Sequence, residues 1–227
     1  MINSSWPPFS HIPSLSPSPL LVSTPENCFI TIGHHILSST LLSPSFAHRR
    51  QQKEGSRQAL AKAVGLKPHY RPFVLDATGG FGVDSCILAE LGCTVLILER
   101  HPFMAQLLQQ ALTRLTPPLQ QPLYVLQKES ITYLKHEARY ITPPHVIYLD
   151  PMFPPGKKNA LNKQPLRLLK TLVGEDNDAK ELFYAAYNVA THRVVVKRPR
   201  HAPLITEKTP SYTILGKSNR YDIYLTL

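Results

Sequence analysis

Residues 73–84 read Phe73-Val74-Leu75-Asp76-Ala77-Thr78-Gly79-Gly80-Phe81-Gly82-Val83-Asp84. Three apolar residues and a carboxylate lead into a turn rich in glycine, and an apolar-periodic segment starts at the closing aspartate. This is the pattern of a strand, a tight turn and a helix. Gly79, Gly80 and Gly82 carry no Cβ and tolerate positive φ, so backbone there can lie against a ligand that a side chain would block. Asp76, Thr78 and the three glycines are therefore candidates for holding a nucleotide-like cofactor. Alone, the turn is a weak signal, because many turns hold glycines for backbone geometry.

A second anchor lies downstream. Cys93 to Leu98 is a run of strand formers ending in Glu99, 23 positions after Asp76. In a nucleotide-binding α/β fold, an acid at the tip of the second strand accepts hydrogen bonds from ribose hydroxyls. Further strands are expected at Leu123–Gln127, His145–Leu149 and Arg193–Lys197. Helices are expected after the glycine turn, after His101-Pro102, at 166–173, and after Asp178-Ala179-Lys180-Glu181, which reads as a capping box, with a short helix or turn at 130–138. Tyr212–Leu215 and Tyr221–Leu225 read as a closing antiparallel hairpin. Strands alternating with helices imply a mostly parallel, Rossmann-like sheet whose ligands collect at the strands' C-terminal ends. Asp76, Glu99, Glu129, Ser130 and Asp150 all fall near that edge.

Residues 1–45 differ from the rest. Met1 to Pro25 is dense in Ser and Pro and reads as an irregular lead-in. Cys28–Ile32 and Ile36–Leu42, broken at Gly33, read as a hairpin in a small N-terminal β layer. Residues 46–227 form the main domain. In Phe46 to Lys67 a basic knot passes into a helix with Ser56 as N-cap and Gly65 as stop.

The chain has 227 residues and a formal charge of +10, which favours a polyanionic partner. Its three cysteines, Cys28, Cys86 and Cys93, show no C-x-x-C spacing, which points away from a disulfide framework or zinc site and towards a reducing, cytoplasmic setting. Apolar runs are too short for a membrane helix, and the first residues lack the pattern of a signal peptide. Neither a metal nor a membrane partner is expected. His48, Arg49 and Arg50, the loop lysines Lys157, Lys158 and Lys163, and Lys197 with Arg198 are candidate RNA-phosphate contacts.

The most specific chemistry sits in Asp150-Pro151-Met152-Phe153-Pro154-Pro155. A carboxylate at a strand tip, a proline-stiffened turn and a nearby aromatic resemble the Asp/Asn-Pro-Pro-Tyr/Phe motif of S-adenosylmethionine-dependent methyltransferases acting on exocyclic amines. An aromatic amine has its lone pair delocalised into the ring. It becomes a nucleophile only when acceptors hold its N–H groups and its plane is fixed in line with a methyl donor. Asp150 and the carbonyl of Pro151 can supply the acceptors, and Phe153 can stack on the base.

Together, Ala59–Gly65, Asp76–Asp84, Cys93–Arg100, Tyr148–Phe153, Ala160-Leu161, Leu172-Val173-Gly174, Arg193–Pro199 (R-V-V-V-K-R-P) and Arg220–Tyr224 resemble the RsmJ family of bacterial 16S rRNA guanine-N2 methyltransferases. The resemblance runs from about Phe46 to the C-terminus. It implies a class I methyltransferase fold, S-adenosyl-L-methionine as methyl donor and a guanine near the 3′ end of 16S rRNA, in the small ribosomal subunit, as acceptor. It also places the family's cofactor positions on Val83, Asp84, Glu99, Arg100, Glu129, Ser130 and Asp150. The family usually has Arg where this chain has Val83, so only backbone can contact a ligand there, and its serine pair after the third strand is here Glu129-Ser130. Two other readings share parts of this pattern. A nicotinamide-dependent (NAD(P)) Rossmann oxidoreductase has the same glycine turn and acid, and a non-catalytic RNA-binding module would keep the fold without the chemistry.

Overall fold

The strand–turn–helix expected at residues 73–84 lies in the middle of a seven-stranded sheet. The computed structural model describes residues 19–24, 27–32, 34–51, 56–119, 121–140, 142–152 and 178–226. The expected helix at 166–173 lies outside them, as do Phe153, Lys157, Lys158 and Lys163.

In chain order the elements are β1 (Leu20–Ser23), β2 (Cys28–Ile32), β3 (His35–Ser38), α1 (Pro44–Gln51), α2 (Ser56–Ala63), β4 (Val74–Asp76), α3 (Val83–Glu90) and β5 (Val95–Glu99). There follow α4 (Pro102–Thr113), β6 (Leu123–Gln127), α5 (Ser130–Thr132), β7 (Val146–Leu149), α6 (Ala179–Val189), β8 (Arg193–Pro199), β9 (Tyr212–Leu215) and β10 (Asn219–Leu225). The large sheet runs β6-β5-β4-β7-β8-β10-β9. Strands β4 to β8 pair in parallel, and β10 pairs antiparallel with both β8 and β9. Successive strands step outward from β4 to β6 and then cross back to β7. The strand order therefore reverses between β4 and β7, where an open α/β sheet leaves a crevice at its C-terminal edge.

Strands β4, β5 and β7 are buried along their whole length, which is why they read as unbroken apolar runs rather than alternating ones. One face of the sheet packs Val74, Val95, Tyr148 and Val195 against α2, α3 and α4. The other packs Leu75, Leu98, Leu149 and Val196 against α6, through Phe183 and Ala186, and against the Tyr133–Glu137 turn after α5, through Leu134. Burial of this kind contributes about 25 cal/mol per Å² of apolar surface and fixes each strand's register. Helix α2 stops in a Schellman-type cap: Gly65 takes φ +77°, its N–H reaches Lys62 O, and Leu66 N–H reaches Ala61 O.

The N-terminal region differs in three ways from its sequence reading. Leu20–Ser23, inside the stretch expected to be irregular, is a strand paired with β2, because its apolar residues extend the hairpin by one edge. Strand β3 ends at Ser38, and Thr40–Leu42 is a 3₁₀ turn capped by the Ser39 hydroxyl. This small sheet also shares a core with the main domain: Cys28, Ile30, Ile32 and Leu37 pack with Met104, Leu107 and Leu108. The Arg114 guanidinium ties it down through Ser23 Oγ and Thr24 O, each at 2.8 Å.

Candidate active site

The glycine turn is built on Asp76. Its Oδ1 accepts from Thr78 N–H at 3.0 Å and from the Thr78 hydroxyl at 3.2 Å, and its Oδ2 accepts from the Ser85 hydroxyl at 2.5 Å. The carboxylate thus ties the end of β4 to the start of α3. Burial pushes the Asp76 pKa up to about 7, against the opposing hydrogen bonds from Ser85 and Thr78, and the nearby Asp84 charge adds to the rise.

Gly79 lies flat against β5. Its N–H donates to Leu98 O at 3.0 Å, and a Cβ there would stand 2.9 Å from that same oxygen and from Ile97 Cγ2. At Gly80 the space is open, a Cβ meeting only Thr78 O at 3.6 Å. Gly82, at φ +66°, opens α3 with no side-chain cap. Val83 follows as the first helical residue and is half-buried. Glu99, 5% exposed, spans the turn: Oε2 accepts from Gly80 N–H and Oε1 from His101 N–H, both at 2.7 Å. His101 itself is orphaned, with both ring nitrogens buried and lacking hydrogen-bond partners. Desolvation, helped by Arg100, lowers its pKa to about 4 and keeps the ring neutral.

These residues fit S-adenosylmethionine. A carboxylate offers about four acceptor sites, enough to hold the turn and ribose hydroxyls together. The open side of Gly80 gives a ligand close access to backbone, and a neutral imidazole with two unpaired nitrogens is a group awaiting a polar partner.

The Thr78 hydroxyl joins the tip of β7 to this turn. Asp150 N–H, at the tip of β7, donates to Thr78 Oγ1 at 2.7 Å, and that hydroxyl donates on to Asp76. The Asp150 carboxylate, with 42% of its side chain exposed, pairs through Oδ2 with Lys197 Nζ at 2.7 Å. Lys197 also pairs with Asp84 Oδ2 at 2.7 Å, and the buried Tyr148 hydroxyl donates to that same oxygen at 2.6 Å. Desolvation pulls the Lys197 pKa down, but the charges and hydrogen bonds of Asp150 and Asp84 outweigh it and hold the ammonium well above the ordinary lysine range. Desolvation raises the Asp150 pKa, Lys197 pulls it down and Asp84 raises it again. The net direction is upward, with desolvation the largest cause and Lys197 the main opposing one. Pro151 is buried behind the tip and Met152 packs against the core.

Other expected positions are held differently. The Ser130 hydroxyl donates to Ala77 O at 2.7 Å and so supports the turn from below. Glu129 is exposed and caps α5, accepting from Ile131 N–H at 2.9 Å and Thr132 N–H at 2.7 Å. Arg100 reaches Asp178 Oδ2 at 2.9 Å. The capping box expected at Asp178 is therefore absent: its carboxylate serves this ion pair, and α6 begins with no side-chain cap.

Among the proposed RNA contacts, Arg50 and Arg198 are turned inward. Arg50 is ion-paired with Glu90 and donates to Pro117 O at 2.7 Å, with 8% of its side chain exposed. Arg198, 5% exposed, donates to Pro203 O at 3.0 and 3.2 Å. Both sit where a guanidinium can satisfy buried acceptors, and neither offers its charge to a phosphate. Lys197 belongs to the Asp150 pair. His48 is exposed on α1, and the backbone of Arg49 lies in the same helix.

Sequence reasoning missed Tyr148, Ser85 and His101. Tyr148 had a legible signal, being the one polar-tipped residue in the buried strand V-I-Y-L. Lys197 was read as an RNA contact, although a lysine following V-V-V in a central strand needs an internal counter-charge. Among the described residues, no helix is long and apolar enough to cross a membrane, and no group of three or more His, Cys, Asp or Glu is gathered to hold a metal ion.

Comparison with known proteins agrees with this arrangement. The family model "Putative SAM-dependent methyltransferase" matches residues 34–226. The chain is 49% identical over 183 residues to ribosomal RNA small subunit methyltransferase J of Stutzerimonas stutzeri, covering 78% of this chain and 70% of the relative. It is 47% identical over 193 residues to the protein of the same name from Dechloromonas aromatica, covering 83% and 78%. The crystal structure of a SAM-dependent methyltransferase from Neisseria gonorrhoeae superposes with a TM-score of 0.73 at 31% identity, covering 96% of this chain and 86% of that one. These relatives leave the dehydrogenase reading without support. The chain therefore has the fold of a class I methyltransferase using S-adenosylmethionine and is a member of the ribosomal RNA small subunit methyltransferase J family.

Proposed function

We propose that the protein methylates the exocyclic N2 amine of a guanine in the 16S rRNA of the small ribosomal subunit. One observation carries the reading: the Thr78 hydroxyl joins the cofactor turn to the Asp150 tip, so donor and acceptor sites share one rigid edge across the β4–β7 crevice. The relatives bearing the small-subunit rRNA name supply the acceptor class.

The bound cofactor supplies an electrophilic methyl group on a sulfonium whose leaving group is a neutral thioether. The chain supplies position and charge. Glu99, Gly80 and the orphaned His101 form the ribose-side wall. Asp150 accepts an amine N–H at the oxygen not engaged by Lys197, and the Pro151 carbonyl offers a second acceptor, so the amine plane is fixed and its lone pair is turned to the methyl. As the N–C bond forms, the nitrogen sheds one proton to Asp150 or through it to water. Lys197 keeps Asp150 in its acceptor form until then. Phe153 is proposed to stack on the base, and Lys157, Lys158 and Lys163 to hold flanking phosphates.

The test is transfer of tritiated methyl to small subunits from a strain lacking the modification, followed by mapping of the base. Label on guanine N2 supports the reading. Label confined to another base, to large-subunit RNA, or absent altogether overturns it.

A further inference from the structure

The segment Pro199-Arg200-His201-Ala202-Pro203 leaves β8 two residues beyond Lys197 and is held from beneath by two buried guanidiniums. Arg220, 8% exposed, donates through Nη1 to Arg200 O at 2.9 Å, Ala202 O at 2.7 Å and Pro199 O at 3.3 Å. Its Nε is held by Asp222 at 2.9 Å, and Arg198 takes Pro203 O. Burying two arginines to satisfy one short loop carries a large desolvation cost, which a loop without a task would not require. The carbonyls point inward, so the loop's shape is set before any ligand arrives. The side chains of Arg200 and His201 stay exposed.

The β9–β10 turn meets this loop: Arg200 N–H donates to Ser218 O at 3.2 Å, and Lys217 in that turn is exposed. Three cationic or titratable side chains therefore stand together at the C-terminal edge of β8. Three residues of extended chain, about 10 Å, separate Arg200 from the Lys197 that touches Asp150. The cofactor turn lies on the opposite side of β7, so this edge flanks the acceptor half of the crevice only.

We infer that Arg200, His201 and Lys217 form a preshaped grip for RNA phosphates next to the target nucleotide, built on the Arg198–Arg220 clamp. The inference rests on the rRNA reading above and names the surface that serves it.

The test compares wild type with Arg200→Glu/Lys217→Glu. Readouts are binding to a naked small-subunit rRNA fragment, KM for small subunits across a salt series, S-adenosylhomocysteine affinity and melting temperature. The expected result is at least tenfold weaker RNA binding and higher KM, with cofactor affinity and melting temperature as in wild type. The salt slope should fall by about 0.7–0.9 per lost contact. Arg200→Lys/Lys217→Arg should restore binding. Unchanged RNA affinity and slope overturn the inference. So does a defect seen on intact subunits and absent on naked RNA, which would mark an acidic protein partner instead. If wild type binds the fragment through these residues but methylates no small-subunit RNA, the proposed function fails and the grip stands.

Discussion

Lys197 Nζ lies 2.7 Å from Asp150 Oδ2 and the same distance from Asp84 Oδ2, so one ammonium bridges the acceptor tip and the first turn of α3. The bridge spans three elements that are far apart in sequence. It also explains why a lysine stands in a central strand: its charge is balanced by two carboxylates, one of which Tyr148 steadies from β7.

Removing this ammonium should disable the acceptor site while leaving the cofactor pocket standing. Lys197→Met is expected to lower kcat about 100-fold or more, with S-adenosylhomocysteine affinity within a few-fold of wild type by calorimetry. Lys197 pulls the Asp150 pKa down, so without it Asp150 protonates at higher pH. The acid limb of the kcat profile should therefore move to higher pH, and Lys197→Arg should move it part of the way back. A profile that falls uniformly at all pH values would mean that Lys197 only supports the fold.

Asp150→Ala should reduce methyl transfer far more than cofactor affinity, since the proposed amine acceptor is its side chain and the hydrogen bond to the turn comes from its backbone N–H. Single-turnover transfer at saturating cofactor is the measurement. Turnover like wild type would remove Asp150 from the mechanism.

Thr78 couples the two halves. Its hydroxyl accepts from Asp150 N–H and donates to Asp76, so Thr78→Val keeps the shape and deprives both partners. Leaving such groups unpaired costs about 1–3 kcal/mol. We expect a tenfold or greater rise in the cofactor dissociation constant together with a loss in kcat, and recovery of both in Thr78→Ser.

Gly79→Ala tests the close approach to β5. The added Cβ would press on backbone Leu98 O and on Ile97 at 2.9 Å, and backbone cannot step aside as a side-chain tip can. The turn must shift, carrying Gly80 away from Glu99. Cofactor affinity should fall at least tenfold; Gly80→Ala meets no close protein atom, so its Cβ would instead take up space proposed for the ligand while its φ of +54° adds strain, and cofactor affinity should fall there too.

The parallel sheet and its ligand-bearing edge were legible because buried strands leave unbroken apolar runs and each ends in an acid: Val74–Asp76, Val95–Glu99 and Val146–Leu149 followed by Asp150. Side-chain partnerships were not, because they depend on register. Nothing in the residues around Lys197 tells that β8 pairs with β7 so as to set that ammonium beside Asp150, nor that Arg198, one position on, turns to the opposite face. The small N-terminal sheet was half legible for a similar reason. Its hairpin follows local alternation, while β1 is a strand only because β2 offers it an edge.

Asp76 carries a pH signature that can be read without substrate. Its pKa rises to about 7 in the folded protein from an unfolded value near 3.9. The folded state thus holds a proton that the unfolded state releases, and stability is fully present below pH about 4 and declines as pH rises through 7. Thermal melts between pH 5 and 8 should show this loss, amounting to a few kcal/mol, and Asp76→Asn should flatten the slope because no proton remains to be lost. The amide can still accept from Thr78 N–H, so the variant is expected to fold. A wild-type slope equal to that of Asp76→Asn over this range would show that Asp76 is ionised throughout, with Ser85 and Thr78 holding the buried charge.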